Sequence, residues 1–180
     1  MKVAKFDKYR LYGDYHWQEY KKPTVYRDYV NQLIHWVTGK RILDIGAGDG
    51  LICHMLGANA IGIELDESAC SLARAHGVRV IQGDACALPY PNESFDSVFM
   101  GDVIEHLPDP ILALYEANRV LCEGGFLYVT TPPEANPIRK YHFREYTPEK
   151  LISEVESTGF QLDGDVFERY QRLHAKFRKP

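Results

Sequence analysis

Short, nearly unbroken apolar runs punctuate the middle of the chain: RILDI at 41–45, AIGIE at 60–64, RVIQ at 79–82, SVFM at 97–100 and GFLYVT at 125–130. Continuous runs of this length suit strands covered on both faces, as in a parallel sheet, rather than half-exposed strands with alternating polarity. Helical stretches fall between them, at 51–56, 66–76 and 110–121. Asp66 stands where an N-cap belongs and Gly77 where a helix ends, while Glu123-Gly124-Gly125 closes the third stretch. Alternating strand and helix predicts an α/β fold with helices on both faces of a mostly parallel sheet.

The ends of the chain follow other patterns. Residues 24–37 read as a helix with Val25, Tyr29, Leu33 and Trp36 or Val37 on one stripe. Upstream, 1–23 form an arm carrying Phe6, Tyr9, Tyr12, Tyr15, Trp17 and Tyr20, too aromatic to float in water, and it is expected to fold back over the domain. Near the C-terminus, Thr147-Pro148 is a capped helix start and Gly159 its stop. Residues 160–166 and 172–177 then predict a hairpin at a sheet edge. The expected organisation is the arm, 1–23, followed by one domain, 24–180.

Composition agrees with a single globular unit: 180 residues, 45% hydrophobic and 26% charged. No run approaches the roughly 18 apolar residues of a membrane span. The start, MKVAKFDKYRLYGDYHW, has no apolar signal core, so a cytoplasmic protein without membrane insertion is expected. Cys53, Cys70, Cys86 and Cys122 form no CxxC pair and no short zinc pattern with the histidines, so plain thiols and no metal site are expected. Charge is uneven: +5 over 1–41, -11 over 42–134 and +2 over 135–180. An acidic centre disfavours a nucleic-acid groove and tolerates a cationic ligand.

The sharpest feature is RILDIGAGDG at 41–50, where an apolar strand delivers Gly46, Gly48 and Gly50 into a turn that becomes a helix. Glycines permit positive φ and close backbone approach, and free amides at the helix start receive a polar group. Glu64 ends the next strand, where a carboxylate can accept from a ribose diol. A dinucleotide fingerprint requires a last glycine where Leu51 stands, and a phosphate loop requires G-K-[ST], which is absent. Asp44, just before the glycines, repels a pyrophosphate but attracts a positive centre. An adenosyl sulfonium fits both acids.

The chain resembles a class I S-adenosylmethionine-dependent methyltransferase of the small-substrate, quinone-biosynthesis type. The resemblance runs from about residue 24 to the end. It rests on RILDIGAGDG, IGIELDESAC at 61–70, QGDACALPYPNESFDSVFMGDVIEHLPDP at 82–110 and NRVLCEGGFLYVTTP at 118–132. It implies a single-domain Rossmann-like fold with a seven-stranded sheet in the order 3-2-1-4-5-7-6, strand 7 antiparallel, and S-adenosyl-L-methionine as cofactor. By the same resemblance Asp44 organises the turn and the methionine amino end, and Gly46 and Gly48 line the cofactor. Glu64 holds the ribose, Leu65 packs on adenine, Asp84 and the Ala85 amide bind its polar edge, and Gly101 and Asp102 touch the methionine portion.

Chemistry at the methyl acceptor is sought in GDVIEHLPDP at 101–110, with Val103, Ile104 and Leu107 facing the core and Asp102, Glu105 and His106 pointing elsewhere. Asp102 and His106 are the catalytic candidates, His106 as a general base. The segment 131–147 reads as a substrate-facing loop offering His142, Arg144 and Tyr146, and the arm offers Tyr15 and Trp17 opposite. The expected partner is a small or medium-sized methyl acceptor. A tRNA or protein acceptor, or a cofactor-binding protein without turnover, is the alternative.

Overall fold

In the computed structural model, residues 7–134 and 142–180 are described. The first six residues of the arm and loop positions 135–141 lie outside them. The elements are α1 (Asp7–Tyr12), α2 (Tyr15–Lys21), α3 (Val25–Trp36), β1 (Ile42–Ile45), α4 (Leu51–Met55), β2 (Ala60–Glu64), α5 (Glu67–Ala75), β3 (Val80–Gln82) and β4 (Phe95–Gly101). A single 3₁₀ turn (Ile104–His106) precedes α6 (Pro110–Val120), β5 (Leu121–Thr131), α7 (Pro148–Glu156), β6 (Gln161–Leu162), β7 (Phe167–Arg169) and β8 (Arg172–Arg178). The strands lie in the order β3-β2-β1-β4-β5-β8-β6. Neighbours from β3 to β5 are parallel, and β8 is antiparallel to β5 and to β6. The Rossmann-like order implied by the resemblance is thus realised, with β8 as the antiparallel strand.

Side chains of successive residues leave a strand on opposite faces, and the core divides accordingly. Leu43, Ile45, Val98, Met100, Leu127 and Val129 pack with Leu114 of α6 and Leu151 of α7. Ile42, Phe99 and Tyr128 pack on the other face with Leu33 of α3, Cys53 of α4 and Cys70 of α5. Asp66 caps α5 by accepting from the Ser68 amide at 2.7 Å, and Thr147 caps α7 by accepting from the Lys150 amide at 3.3 Å. Cys53 and Cys70 are buried, Cys86 and Cys122 half-buried, and all four are free thiols.

Two local expectations need correction. The stripe on α3 begins at Tyr29, whose hydroxyl lies 3.2 Å from Thr130 Oγ1 on the sheet; Val25, a turn earlier, is exposed. The strand expected at 160–166 breaks after Leu162, where Asp163 and Gly164 intervene and Gly164 takes φ +96°. The edge resumes as β7, so β6 and β7 share the side of β8. Tyr170 and Gln171, both at positive φ, form the two-residue turn into β8. The arm is helical, and it folds back as expected, α2 packing on the domain through Trp17 and Tyr20.

Candidate functional site

The carboxyl ends of β1, β2, β4 and β5 open into a cavity of about 500 Å³, the place where open parallel sheets bind ligands. One wall is the glycine turn. Gly46 and Gly48 adopt φ +75° and +57°, and the Gly46 and Ala47 amides both donate to Ile63 O, folding the turn onto β2. A Cβ on Gly46 would collide with Val103, and one on Gly48 with the Tyr9 hydroxyl. Glu64 closes this wall, its carboxylate accepting from the Gly48 amide at 2.9 Å and the Asp66 amide at 3.0 Å. Asp44 is buried beneath it. Burial, and then the nearby Glu64 charge, push its pKa up to about 8.

The arm clasps the same turn. Asp49 is buried and accepts from the His16 amide at 2.9 Å; its other oxygen lies 3.0 Å from His16 Nδ1. The Trp17 indole donates to Asp49 O at 2.8 Å and stacks on His76 at 4.0 Å between ring centroids, and His76 meets Asp14 at 2.9 Å. Tyr9, Tyr15, His16 and Tyr26 consequently face the cavity.

The opposite wall comes from distant parts of the chain. Asp102 sits at φ +53° at the exit of β4, and its two oxygens receive Arg172 Nε at 2.9 and 2.7 Å. Arg172, from β8, also lies over the Tyr29 ring. Glu105 is buried, with Thr131 Oγ1 donating to Oε2 at 3.0 Å. Its backbone carbonyl takes the Phe143 amide at 2.8 Å, which brings the far end of the loop alongside. His106 Nε2 lies 3.6 Å from Glu105 Oε1, and the His106 and His142 rings are 5.0 Å apart.

Of the residues singled out from sequence, Asp44, Gly46, Gly48, Glu64, Gly101, Asp102, His106, Tyr15 and His142 line this cavity. Trp17 does not; it anchors the arm from behind. Leu65 is exposed immediately beyond Glu64, and Asp84 is exposed with its carboxylate accepting from the Cys86 amide at 2.8 Å. Ala85 is half-buried against the α6 side of the core. These three are not among the lining residues of the cavity; the Gly83 amide donates to Glu64 O and joins the β3 exit to that of β2. Arg144 pairs with Glu154 at 3.2 Å and donates to Pro108 O at 3.3 Å, beside a separate surface hollow. Tyr146 is fully buried in the α7 core. Asp49 and Arg172 escaped the sequence reading, and Glu105, expected to point away from the core, is instead buried. Asp49 sits visibly inside the glycine motif, whereas nothing local marks Arg172, whose partner is 70 residues away.

Residues 43–129 match the family described as "Methyltransferase domain". A probable S-adenosylmethionine-dependent methyltransferase of Mycolicibacterium smegmatis is 32% identical over 144 residues, 73% of this chain and 56% of that protein. The chain belongs to the S-adenosylmethionine-dependent methyltransferases. Members of this family use S-adenosylmethionine as methyl donor. The ubiquinone biosynthesis O-methyltransferase of Alkalilimnicola ehrlichii is 32% identical over 115 residues, 58% of this chain and 46% of that one. The chain thus spans about half the length of the curated relatives it matches. A methyltransferase solved in complex with the Trm112 methyltransferase activator of Haloferax volcanii superposes with a TM-score of 0.79 over 99% of both chains. At 16% identity, that likeness concerns the fold alone. Among the described residues, no helix is long and apolar enough to cross a membrane.

Proposed function

We propose that this chain transfers the methyl group of S-adenosylmethionine to an O, N or C atom of a small or medium-sized acceptor. The observation that carries the reading is that one cavity unites the glycine turn, Glu64 and the exit of β4. Glu64 accepts from the ribose hydroxyls in place of the two amides it now holds. Asp44, Gly46, Gly48 and Gly101 surround the methionine end, and Leu65, Asp84 and Ala85 take adenine. The sulfonium then points toward the wall of Asp102 and His106.

Methyl transfer needs little covalent help, because the sulfonium is already an excellent leaving group. The protein aligns the acceptor in line with the S–CH₃ bond and excludes water. Asp102, tied to Arg172 through both oxygens, orients this wall, and His106 is the group placed to take a proton. Tyr15 and His142 contact the acceptor, and α1 and α2 cover the site. Among the described lining residues, Lys8 and Arg172 are the cations, against Asp44, Glu64, Asp102 and Glu105. So acidic a lining favours a small acceptor over a polyphosphate one.

The test is titration calorimetry with S-adenosylmethionine and NAD in parallel, followed by a cofactor-consumption screen over metabolite acceptors. S-adenosylmethionine is expected to bind and NAD not to. Glu64→Ala is expected to weaken cofactor binding by about 1–3 kcal/mol. Binding of NAD alone, or unchanged binding in the variant, overturns the reading.

A further inference from the structure

The acceptor wall holds three side chains whose combined chemistry the proposed methyl transfer does not use. Glu105, His106 and His142 each offer one ligand atom, and the three atoms lie within 4.8 Å of one another. Two imidazoles and a carboxylate on one face are a donor set for a divalent transition-metal ion that leaves coordination positions open. Ligand atoms on an ion with bonds of about 2.1 Å lie roughly 3–3.5 Å apart, so closing the site needs side-chain movements of about 1–2 Å.

The backbone holds the trio ready. His106 is fixed in the 3₁₀ turn by its amide, which donates to Val103 O at 2.8 Å, and the Phe143 amide, donating to Glu105 O, secures the backbone beside His142. Thr131 Oγ1 donates to Glu105 Oε2, orienting the carboxylate as outer partners orient metal ligands. The second carboxylate oxygen lies on the His106 side. All three residues line the cavity, so the open positions face the acceptor.

The geometry points to a divalent transition-metal site at Glu105, His106 and His142, one that binds a hydroxylated acceptor through the reacting oxygen and a neighbouring oxygen. This inference deepens the proposed methyl transfer and rests on it for the identity of the ligand, though not for binding of the ion. A metal-bound hydroxyl loses its proton to solvent near neutral pH. The resulting oxyanion attacks the methyl carbon: an O–CH₃ bond forms, the S–CH₃ bond breaks, and its electron pair leaves on the neutral thioether. No oxidation occurs. His106 then acts as a ligand, and the ion replaces it as the agent of deprotonation.

The experiment titrates Co²⁺ into tag-free, chelator-treated full chain, read by visible absorption and calorimetry, with S-adenosylmethionine binding measured on the same samples. One equivalent is expected to bind, about tenfold or more weaker in His142→Ala and in His106→Ala, a loss already typical of outer-shell changes. Circular dichroism melts check that both variants fold. S-adenosylmethionine binding is expected to persist in both. Cofactor binding without stoichiometric Co²⁺ binding, or Co²⁺ binding unchanged in both variants, overturns the metal site and leaves the methyl-transfer reading standing. Stoichiometric, variant-sensitive Co²⁺ binding without cofactor binding supports the site and overturns that reading.

Discussion

The two walls of the cavity are built in opposite ways. The donor wall comes from a contiguous stretch, Asp44 through Asp66, in which the backbone does the holding: Gly46 and Ala47 amides on Ile63 O, and Gly48 and Asp66 amides on the Glu64 carboxylate. The acceptor wall is held by side chains drawn from far apart, with Asp102 bonded to Arg172 and Glu105 to Thr131. A wall of local backbone bonds tolerates substitution poorly, all the more where Val103 and Tyr9 crowd its glycines and the arm bonds to Asp49. A wall of long-range side-chain pairs can be re-specified residue by residue without disturbing the donor site. This separation suits a family in which one donor serves different acceptors.

The largest effect is expected on the donor wall. Gly46→Ala combines a positive φ with a collision against Val103, and it should destabilise the fold by about 2–4 kcal/mol in urea melts. Adding Val103→Ala should recover the part due to the collision and leave the part due to φ. Full recovery would mean that the backbone is not what holds this wall.

On the acceptor wall, the Asp102–Arg172 pair should show a coupling of about 1–2 kcal/mol in a double-mutant cycle of Asp102→Asn and Arg172→Gln, discounted for its partial exposure. The donor-wall variants should not alter that coupling. If they do, the walls are not independent.

Asp44 supplies the pH test. Its pKa, raised to about 8 in the folded protein from 3.8, means that the folded state holds a proton between those values and the unfolded chain does not. Stability of the ligand-free protein should therefore fall as pH rises through that window, and Asp44→Asn should flatten the slope. A cationic ligand draws out the carboxylate, so S-adenosylmethionine binding should release protons below pH 8. It should tighten by up to about tenfold per pH unit. Calorimetry in buffers of different ionisation enthalpy measures that release, and none would place the positive centre away from Asp44.

The smallest effect concerns the arm. Trp17→Phe keeps a ring on His76 but removes the indole hydrogen bond to Asp49 O, at an expected cost of about 1 kcal/mol. Hydrogen exchange in α1 and α2 should rise while that of β1 and β2 stays unchanged. Faster exchange in the strands would tie the arm to the donor wall more closely than the contacts suggest.

The difference between the walls also explains what could be read in advance. The strands, the Asp66 and Thr147 caps, the glycine turn and Glu64 are set by near neighbours: apolar runs, cap spacing and residues that tolerate positive φ leave their mark within a few positions. The hairpin edge was legible too, except where Asp163 and Gly164 split it. Trp17 was visible as an aromatic that had to bury itself, but its site behind the turn depended on where His76 and Asp49 meet. Arg144 and Tyr146 stand in a loop-like segment, yet Glu154 of α7 holds the first and the core encloses the second. Their setting follows from how α7 packs. The sequence by itself determined the strands and the donor wall, because apolar runs and residues that tolerate positive φ leave local marks, whereas the order of the strands came from the family resemblance. Only the tertiary structure decided that Arg172 reaches Asp102 and that His142 joins Glu105 and His106. Those meetings arise when β8 inserts antiparallel beside β5 and the loop end bonds to the 3₁₀ turn, and no local pattern encodes a contact across 36 or 70 residues.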